Sequence, residues 1–406
     1  MSQNLKLSTL FVLNSLDCDP ILSFLKWDAD DTEIRAECVG HLIRAAENLG
    51  LSGNLLPRYL LHVLTHQGNL VSETMERTGL PPGSSLRQAF YQDIELLYPI
   101  LTKPTSTFLG ERLLDNYEPT ENRYDKTEDF LLPWIEAAQT PRDYAEALLT
   151  FYARYGYGDI AAHVVFRWDD DANRIRGISH FERLQMKNLI GYQRQKEQLL
   201  QNTRAFVDGK PANHVLLVGA RGTGKSSGVK ALVSEYEESG LRLVQVTKEQ
   251  LRKLPEIMTA LRNYAGRKFI LFLDDISFED SDAEFKAVKS AIEGGVSSCP
   301  PNVCLYATSN RRHLVRETWR DREDELHRDD TVNETISLSD RFGLIIHYHT
   351  PDQDEYLAII DHMLSQRGIH LSPEELRIAG LRWEMTHSGR SGRTAQQFVA
   401  HYLGIH

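Results

Sequence analysis

Near the middle of the chain, two glycines, a lysine and a serine lie at the spacing of a known loop. The apolar residues 215–218 lead into Gly219, and Gly224, Lys225 and Ser226 follow after four intervening residues. This is the spacing G-x-x-x-x-G-K-[ST] of a loop that binds phosphates between a strand and a helix. Glycines let successive N–H groups turn toward phosphate oxygens, the lysine reaches the terminal phosphates, and the serine hydroxyl binds Mg²⁺. The pattern predicts binding of ATP with Mg²⁺.

The helix that begins after this loop adds its positive N-terminal end to the phosphate site. The alternative, a glycine-rich turn with a solvated lysine, is disfavoured by the apolar run before the loop and the helical pattern after it. The predicted nucleotide-contacting residues of the loop are Gly219, Ala220, Arg221, Gly222, Thr223, Gly224, Lys225, Ser226 and Ser227.

Two carboxylates follow a second apolar run further along the chain. Residues 269–273 read as a buried strand, and Asp274 and Asp275 come directly after it. Ligands of open parallel sheets bind at the carboxyl ends of the strands, where such acids lie. We predict that Asp274 is a metal ligand with Ser226, and that Asp275 polarises the attacking water. The alternative is a β-turn with two exposed aspartates.

The bulk composition limits the class of protein. The 406 residues are 41% hydrophobic and 25% charged, which is typical of a globular chain with two or three domains. The net charge of −11 argues against a broad basic surface that would bind nucleic acid or an anionic membrane. A local basic groove is compatible with this net charge. No apolar run approaches the ~20 residues of a membrane helix, and residues 7–13 are too short for a signal peptide.

The four cysteines have no metal-binding spacing. None of them forms the C-x₂-C pair that zinc knuckles contain. Free thiols in the reducing cytoplasm are therefore the favoured interpretation, and we predict a cytoplasmic protein. The cysteines are Cys18, Cys38, Cys299 and Cys304.

The hydrophobic pattern changes along the chain and predicts four parts. The first part is helical, and from residue 190 strands alternate with helices, which is typical of a parallel sheet covered on both faces. Five strands are predicted, at 215–218, 241–246, 269–273, 303–307 and 344–348. The parts are a mostly α-helical N-terminal domain (1–158), a bridging hairpin or linker (159–189), a P-loop α/β core (190–350) and a C-terminal helical lid (351–406).

Two charged stretches carry weaker signals. Residues 163–168 and 174–178 flank Asp169, Asp170 and Asp171, which predicts a hairpin with a solvated turn rather than a metal site. Residues 311–334 are rich in charged side chains, and we interpret them as a solvated excursion of the chain away from the α/β core.

Taken together, these motifs resemble the AAA+ class of P-loop ATPases, and more closely the bacterial ATPases grouped as domain of unknown function 815. The resemblance covers residues 175–406 well and the first half of the chain only loosely. It implies an AAA+-type five-stranded parallel sheet with a helical lid. Its motifs lie at 190–192, 219–226, 273–278, 307–314, 339–343 and 391–393.

The resemblance also implies roles for residues outside the glycine-rich loop and the aspartate pair. Ile190 and Gly191 would line the adenine pocket, and Asn310 would be a polar sensor that orients water against the γ-phosphate. Asn310 follows a predicted strand at the same sheet edge, which suits a sensor, although a turn-forming asparagine is the alternative.

Two arginines are implied in the same way. Arg341 would reach the nucleotide of a neighbouring subunit, and Arg393, at the start of a lid helix, would touch the γ-phosphate of its own subunit. A surface role is the alternative for both, and Arg390 is a rival of Arg393.

Two departures from the pattern of AAA+ proteins limit the functions that this chain is expected to have. The second acid of this class is usually glutamate, and Asp275 is shorter by one methylene, which predicts slow hydrolysis because small misplacements of a reacting water can cost ~10²-fold. Val246 passes through Thr247 directly into a capped helix, which leaves no room for the loop with which unfoldases thread polypeptides. Loading or remodelling of a partner complex is favoured instead.

The predicted protein is thus a slow Mg²⁺-dependent ATPase that forms a homo-oligomer and binds a protein partner through its N-terminal domain. One alternative is a nucleotide-gated scaffold with little hydrolysis. Another is a helicase-loader-like ATPase associated with nucleic acid, which the acidic charge balance disfavours. A small-molecule kinase is least favoured, because no acceptor site is evident.

Overall fold

A computed structural model describes residues 7–26, 32–121, 126–276, 282–293, 299–310, 341–387 and 389–405. The predicted charged excursion at 311–334 lies outside these residues. Contacts within the chain define two compact units. The first comprises residues 1–163 with 263–266, and the second comprises 164–262 with 267–406.

The described part of the first unit is built from helices, as predicted. Thr140 and Pro141 begin α7 as the sequence indicates, because the Thr140 hydroxyl accepts from the N–H of Asp143 and the Asp143 carboxylate accepts from the N–H of Thr140. The helices are α1 (Thr32–Leu49), α2 (Leu55–His66), α3 (Leu70–Thr78), α4 (Ser84–Thr102), α5 (Ser106–Leu109), α6 (Lys126–Ala137), α7 (Pro141–Tyr155) and α8 (Gly158–Ala162), with 3₁₀ turns at Leu7–Thr9, Asn14–Cys18, Leu22–Lys26 and Arg112–Asp115.

The aromatic stripe of α7 packs into the core of the first unit rather than lining a site. Leu148, Phe151 and Tyr152 are almost fully buried, and the Tyr152 hydroxyl donates to the carbonyl of Leu64 at 2.7 Å. Buried polar groups need such partners. The stripe is structural, as its helical spacing predicts.

The second unit contains one mixed sheet. Its strand order is β2-β1-β4-β5-β6-β3-β7, and only β2 runs antiparallel to its neighbour. The strands are β1 (Val165–Asp169), β2 (Arg174–Gly177), β3 (Val215–Gly219), β4 (Leu241–Val246), β5 (Lys268–Leu273), β6 (Val303–Ser309) and β7 (Leu344–Tyr348).

Strands β3 to β7 are the predicted five-stranded parallel sheet, in the order β4-β5-β6-β3-β7. The predicted hairpin is present too, but it extends this sheet, because β1 pairs with β4 in parallel. The pattern within a hairpin predicts which residues pair with each other. It does not predict which sheet edge the hairpin joins.

The turn of this hairpin is held by its own acids. The Asp169 carboxylate accepts from the N–H groups of Asp171 and Ala172, both at 3.1 Å. Asp170 pairs with Lys253 at 2.8 Å and accepts from Gln250. These contacts are those of a surface turn.

Helices cover the sheet and form the C-terminal lid. They are α9 (Gln193–Val207), α10 (Lys225–Tyr236), α11 (Leu254–Arg262), α12 (Asp282–Glu293), α13 (Gln353–Ser365), α14 (Pro373–Thr386) and α15 (Gly392–Ile405), with 3₁₀ turns at Met186–Asn188, Glu237–Ser239 and Lys248–Lys253. The lid helices share an apolar core that includes Tyr356, Ile360 and Phe398, and Ile190 packs against it.

The capped α-helix predicted to follow Thr247 directly is wrong at its start. The capping box of Thr247 and Gln250 is present, but it opens a 3₁₀ turn, and α11 begins only at Leu254. Pro255 has no N–H to donate to a preceding carbonyl, so it is favoured in the first turn of an α-helix, which is where it lies in α11. Thr247 alone connects β4 to this turn, which leaves no residues for a threading loop, as predicted.

Candidate functional site

The glycine-rich loop joins the buried strand β3 to α10, and two of its glycines are required by geometry. Gly219 has φ 148°, and a Cβ there would lie 2.1 Å from the Tyr348 carbonyl oxygen. Gly222 has φ 75°, and a Cβ there would lie 2.8 Å from the Ser391 hydroxyl. Side chains are excluded at both positions by conformation and by close neighbours.

Lys225 is the first residue of α10, and its side chain folds back over the loop. Its Nζ donates to the carbonyls of Gly219 and Ala220, both at 2.8 Å, and to Asn310 Oδ1 at 3.1 Å. Burial lowers the pKa of Lys225 to about 8, against the opposing effect of the two nearby carboxylates Asp275 and Asp274. The hydrogen-bond acceptors of this buried amine in the described part of the chain are neutral, which suits it to receive an anion.

The predicted metal ligands lie together. The Ser226 hydroxyl donates to Asp274 Oδ1 at 2.6 Å, and the Thr308 hydroxyl donates to the same oxygen at 2.7 Å. Mg²⁺ prefers hard oxygen ligands, and it is usually held by one or two protein groups together with substrate phosphates. The hydroxyl and the carboxylate fit that requirement. No cluster of three or more His, Cys, Asp or Glu that could hold a metal alone occurs among the described residues.

Asp275 lies beside this pair in a left-handed backbone conformation, with φ 55°. Its Oδ1 accepts from the side-chain amide of Asn310, and its Oδ2 lies 3.5 Å from Arg221 Nη2. Asn310 also accepts from Lys225, so a continuous polar chain runs from Lys225 through Asn310 to Asp275. The predicted sensor and the predicted water-polarising acid are direct neighbours.

A cavity of about 530 Å³ opens between the core and the lid, and it collects most of the predicted site. Ile190, Asp274, Asp275, Asn310 and Arg393 line it, together with the loop from Arg221 to Ser227. Its volume suits a small-molecule ligand.

Four predicted residues do not line this cavity. Gly219 and Ala220 contribute carbonyls that hold Lys225, and Gly191 lies at φ 76° next to the lining residue Tyr192. Arg341 precedes β7 and is partly exposed, outside the cavity wall. Its predicted role concerns a neighbouring subunit and stays a prediction.

The lid contacts the phosphate loop directly. The N–H of Gly392, the first residue of α15, donates to the carbonyl of Gly222 at 2.8 Å. Arg393 follows and lines the cavity, whereas its rival Arg390 is paired with Glu384 at 2.9 Å. The geometry therefore favours Arg393 over Arg390 for contact with a nucleotide.

Several lining residues are absent from the sequence prediction. Five of the eleven are apolar or aromatic, and apolar spacing alone does not distinguish a side chain that lines a ligand site from one in the core. A signal did exist for Thr308, because it lies on β6 two residues before Asn310, which directly follows that strand, and alternate residues of a strand share a face. The missed lining residues are Asn188, Leu189, Tyr192, Lys196, Gly228, Thr308, Tyr348, Ile359, Met363, Gly392 and Gln396.

A profile of the family described as "Protein of unknown function (DUF815)" matches residues 161–406. The chain belongs to the DUF815 family. Comparison of this DUF815 protein with curated proteins finds no match.

Solved structures similar to this DUF815 protein include a branch migration motor and an AAA domain. The RuvB Holliday junction branch migration motor of Thermotoga maritima is 18% identical with a TM-score of 0.37, and the match covers 53% of this chain and 62% of that one. The FIGL-1 AAA domain in complex with ADP is 14% identical with a TM-score of 0.39, covering 54% and 73%. The chain thus spans about three fifths of the RuvB chain that it matches.

The fold of this DUF815 protein is of the AAA+ type. It combines the parallel order β4-β5-β6-β3-β7 with a phosphate loop after β3 and a helical lid after β7. All four cysteines are free thiols. None of the helices in the described parts of the chain combines the length and apolar character that crossing a membrane needs.

The lowered pKa of Lys225 predicts a pH-dependent affinity for ATP. The amine is charged below about pH 8 and becomes neutral above it, whereas a bound polyphosphate favours the charged form. Affinity should fall as the pH rises above 8, approaching tenfold per pH unit, with proton uptake on binding. Calorimetry from pH 7 to 9.5, in buffers of different ionisation heat, measures both quantities.

Lys225→Arg is the matched variant, because a guanidinium stays charged throughout this range. Its affinity should be lower but nearly independent of pH. Equal affinity of the wild type at pH 7 and 9.5 would contradict the assignment.

Proposed function

We propose that this protein binds ATP with Mg²⁺ and hydrolyses it slowly, as an AAA+ ATPase that remodels or loads a partner complex. The observation that carries the proposal is the convergence of three groups in one cavity: the buried Lys225 amine, the Ser226–Asp274 pair and the Asp275–Asn310 pair. A phosphate-binding amine, metal-binding oxygens and a water-polarising acid are the set that phosphoryl transfer to water requires.

Each group has a task that its position allows. The loop N–H groups and Lys225 would hold the phosphates, and Ser226 and Asp274 would hold Mg²⁺. When bound, Mg²⁺ neutralises charge that develops on the phosphate oxygens. Asp275 would accept a proton from water, and Asn310 would keep that carboxylate and the water in place. Arg393 and Gln396 bring the lid into the same cavity.

Calorimetric titration with ATP and ADP, with and without Mg²⁺, tests the binding half of this proposal. We expect heat with both nucleotides and tighter binding when Mg²⁺ is present. Phosphate release measured on the same protein tests hydrolysis. A folded protein that gives no heat with either nucleotide would end the proposal.

A nucleotide-gated scaffold is the second candidate function, and the state of Asp275 favours it. Both carboxylate oxygens have protein partners, Asn310 on one side and Arg221 on the other. These two contacts compete with water for a carboxylate whose side chain is 52% exposed. In this case ATP binding would alter the structure, and turnover would remain very low even in the assembled protein.

We further propose that the protein assembles into homo-oligomers and that Arg341 of one subunit serves the nucleotide of another. The position supports this, because Arg341 lies outside its own cavity at the start of β7. Arg341→Ala should bind ATP normally and lose most of its turnover, by at least about tenfold, since an arginine supplied in trans can contribute ~10³-fold or more.

Mixing experiments test this role of Arg341. Inactive Asp275→Asn subunits mixed with Arg341→Ala subunits should regain turnover, since each supplies what the other lacks. A monomeric wild type that turns over as fast as the Arg341→Ala variant would contradict the assignment.

The helical residues 1–158 would recognise a protein partner in the cytoplasm, and residues 190–350 and 351–406 would be the ATP-binding core and its lid. A helicase-loader-like role with nucleic acid stays an alternative that the net charge of −11 disfavours. Affinity purification with a hydrolysis-deficient variant, followed by a salt-dependent DNA-binding assay, separates the two.

A further inference from the structure

Thr308 lies at the point where the two acids of the site meet. It is on β6, one strand away from the acids, and the register of β5 with β6 places Leu273 opposite Ala307. The next residues along the two strands, Asp274 and Thr308, are therefore neighbours at the carboxyl edge of the sheet. Thr308 is almost fully buried, although it lines the cavity.

A single hydroxyl serves both acids. Thr308 Oγ1 accepts from the backbone N–H of Asp275 at 2.8 Å and donates to Asp274 Oδ1 at 2.7 Å. The carbonyl of Thr308 accepts from the N–H of Ile276, also at 2.8 Å. The short segment 274–276 is thus held at three points by one residue.

This attachment matters because Asp275 is in a conformation that side chains disfavour. A left-handed φ of 55° costs a residue with a Cβ more than a right-handed one, and it persists only where the surroundings determine it. The two hydrogen bonds to Thr308 on either side of the Asp275 Cα are such surroundings. They direct a carboxylate that is shorter than the usual glutamate toward Asn310.

We infer that Thr308 is a positioning residue that sets the backbone of Asp275 and the carboxylate of Asp274 through its hydroxyl group. The inference rests on the proposed function for the meaning of those two acids. It adds that β6 affects hydrolysis through Thr308, in addition to Asn310, which directly follows this strand. Thr308 acts through the acids, and it need not contact the nucleotide.

Thr308→Val tests this because it keeps the shape of the side chain and removes the hydroxyl. In the nucleotide-free protein, hydrogen exchange at the Asp275 amide should accelerate at least about tenfold, since its acceptor is lost. Turnover at saturating ATP should fall about ten- to a hundredfold with KM nearly unchanged, because ground-state binding through Lys225 is kept. The Mg²⁺ concentration for half-maximal ATP binding should rise, since Asp274 loses one of its two donors.

Thr308→Ser is the conservative variant, and it should restore exchange protection and most of the turnover. Thr203→Val is the matched control. It also removes a buried threonine hydroxyl with two partners, the Leu199 carbonyl and the Tyr306 hydroxyl, but it does not line the cavity. It should lower thermal stability without changing kcat or Mg²⁺ dependence.

Three outcomes would overturn the inference: Thr308→Val with wild-type kcat and Mg²⁺ dependence, Thr308→Ser as impaired as Thr308→Val, or Thr203→Val with the same kinetic defect. If the wild type binds ATP without measurable turnover, the Mg²⁺ dependence of binding decides instead. A wild type that binds no nucleotide would remove the proposed function. The exchange comparison would then decide by itself whether Thr308 holds Asp275.

Discussion

Lys225→Ala should bind ATP at least about 100-fold more weakly than the wild type. Charge-assisted hydrogen bonds contribute ~1.5–3 kcal/mol each, and a lysine that reaches two phosphates makes more than one of them. The Lys225 side chain is buried against the loop. Another cation could take over its contacts with the phosphates only by occupying the same buried position. The measurement is titration with a fluorescent ATP analogue, with thermal unfolding followed in parallel.

The unfolding measurement is needed because Lys225 also serves the structure. Its amine donates to the carbonyls of Gly219 and Ala220, so its removal leaves one buried and one partly buried acceptor without this donor. Lys225→Met keeps most of the volume and should fold while still failing to bind. Lys210→Ala, which removes an exposed lysine paired with Asp208, should leave affinity unchanged. A Lys225→Met protein that is folded and binds ATP as tightly as the wild type would refute the phosphate site.

Asp275→Asn should bind ATP within about threefold of the wild-type affinity and lose turnover by about 10²-fold or more. Removal of a general base typically costs 10²- to 10⁴-fold, and asparagine cannot accept the proton. The substitution suits this position because asparagine, like aspartate, tolerates the left-handed backbone seen at Asp275. The Thr308 hydroxyl can still accept from the residue 275 N–H.

Phosphate release at saturating ATP, compared with equilibrium binding, separates the two effects. Asp208→Asn, at an exposed aspartate that pairs with Lys210, is the control for a lost charge and should retain full turnover. If Asp275→Asn released phosphate as fast as the wild type, the role of Asp275 would be wrong. The nucleotide-gated scaffold would remain, because it does not need this acid to react.

The contact between the lid and the phosphate loop relates these predictions to the conformation of the lid. Gly222 and Gly392 meet through a backbone hydrogen bond with no side chain between them, and a Cβ on Gly392 would lie 3.1 Å from the Gly222 carbonyl oxygen. The N-terminal turn of α15 therefore lies against the phosphate loop. We expect a rearrangement of the loop on binding phosphates to reach the lid through this contact.

What the sequence determined by itself is local. The phosphate loop was predictable because its glycines, Lys225 and Ser226 lie within one strand-to-helix turn, where spacing along the chain is also spacing in space. Strands such as β3 and β5 were predictable because buried parallel strands are continuous apolar runs bounded by turn residues. The cap at Thr140 and the hairpin at residues 165–177 depend on neighbours within a few residues in the same way.

Only the tertiary structure decided which distant residues meet. Strand register placed Thr308 beside Asp274, lid packing placed Gly392 on Gly222, and the hairpin joined β4 rather than standing apart. The left-handed backbone of Asp275 belongs to the same group, because contacts from another strand hold it and aspartate alone does not prefer it. Contacts between segments far apart in sequence follow from packing of the whole unit, and no local pattern records them.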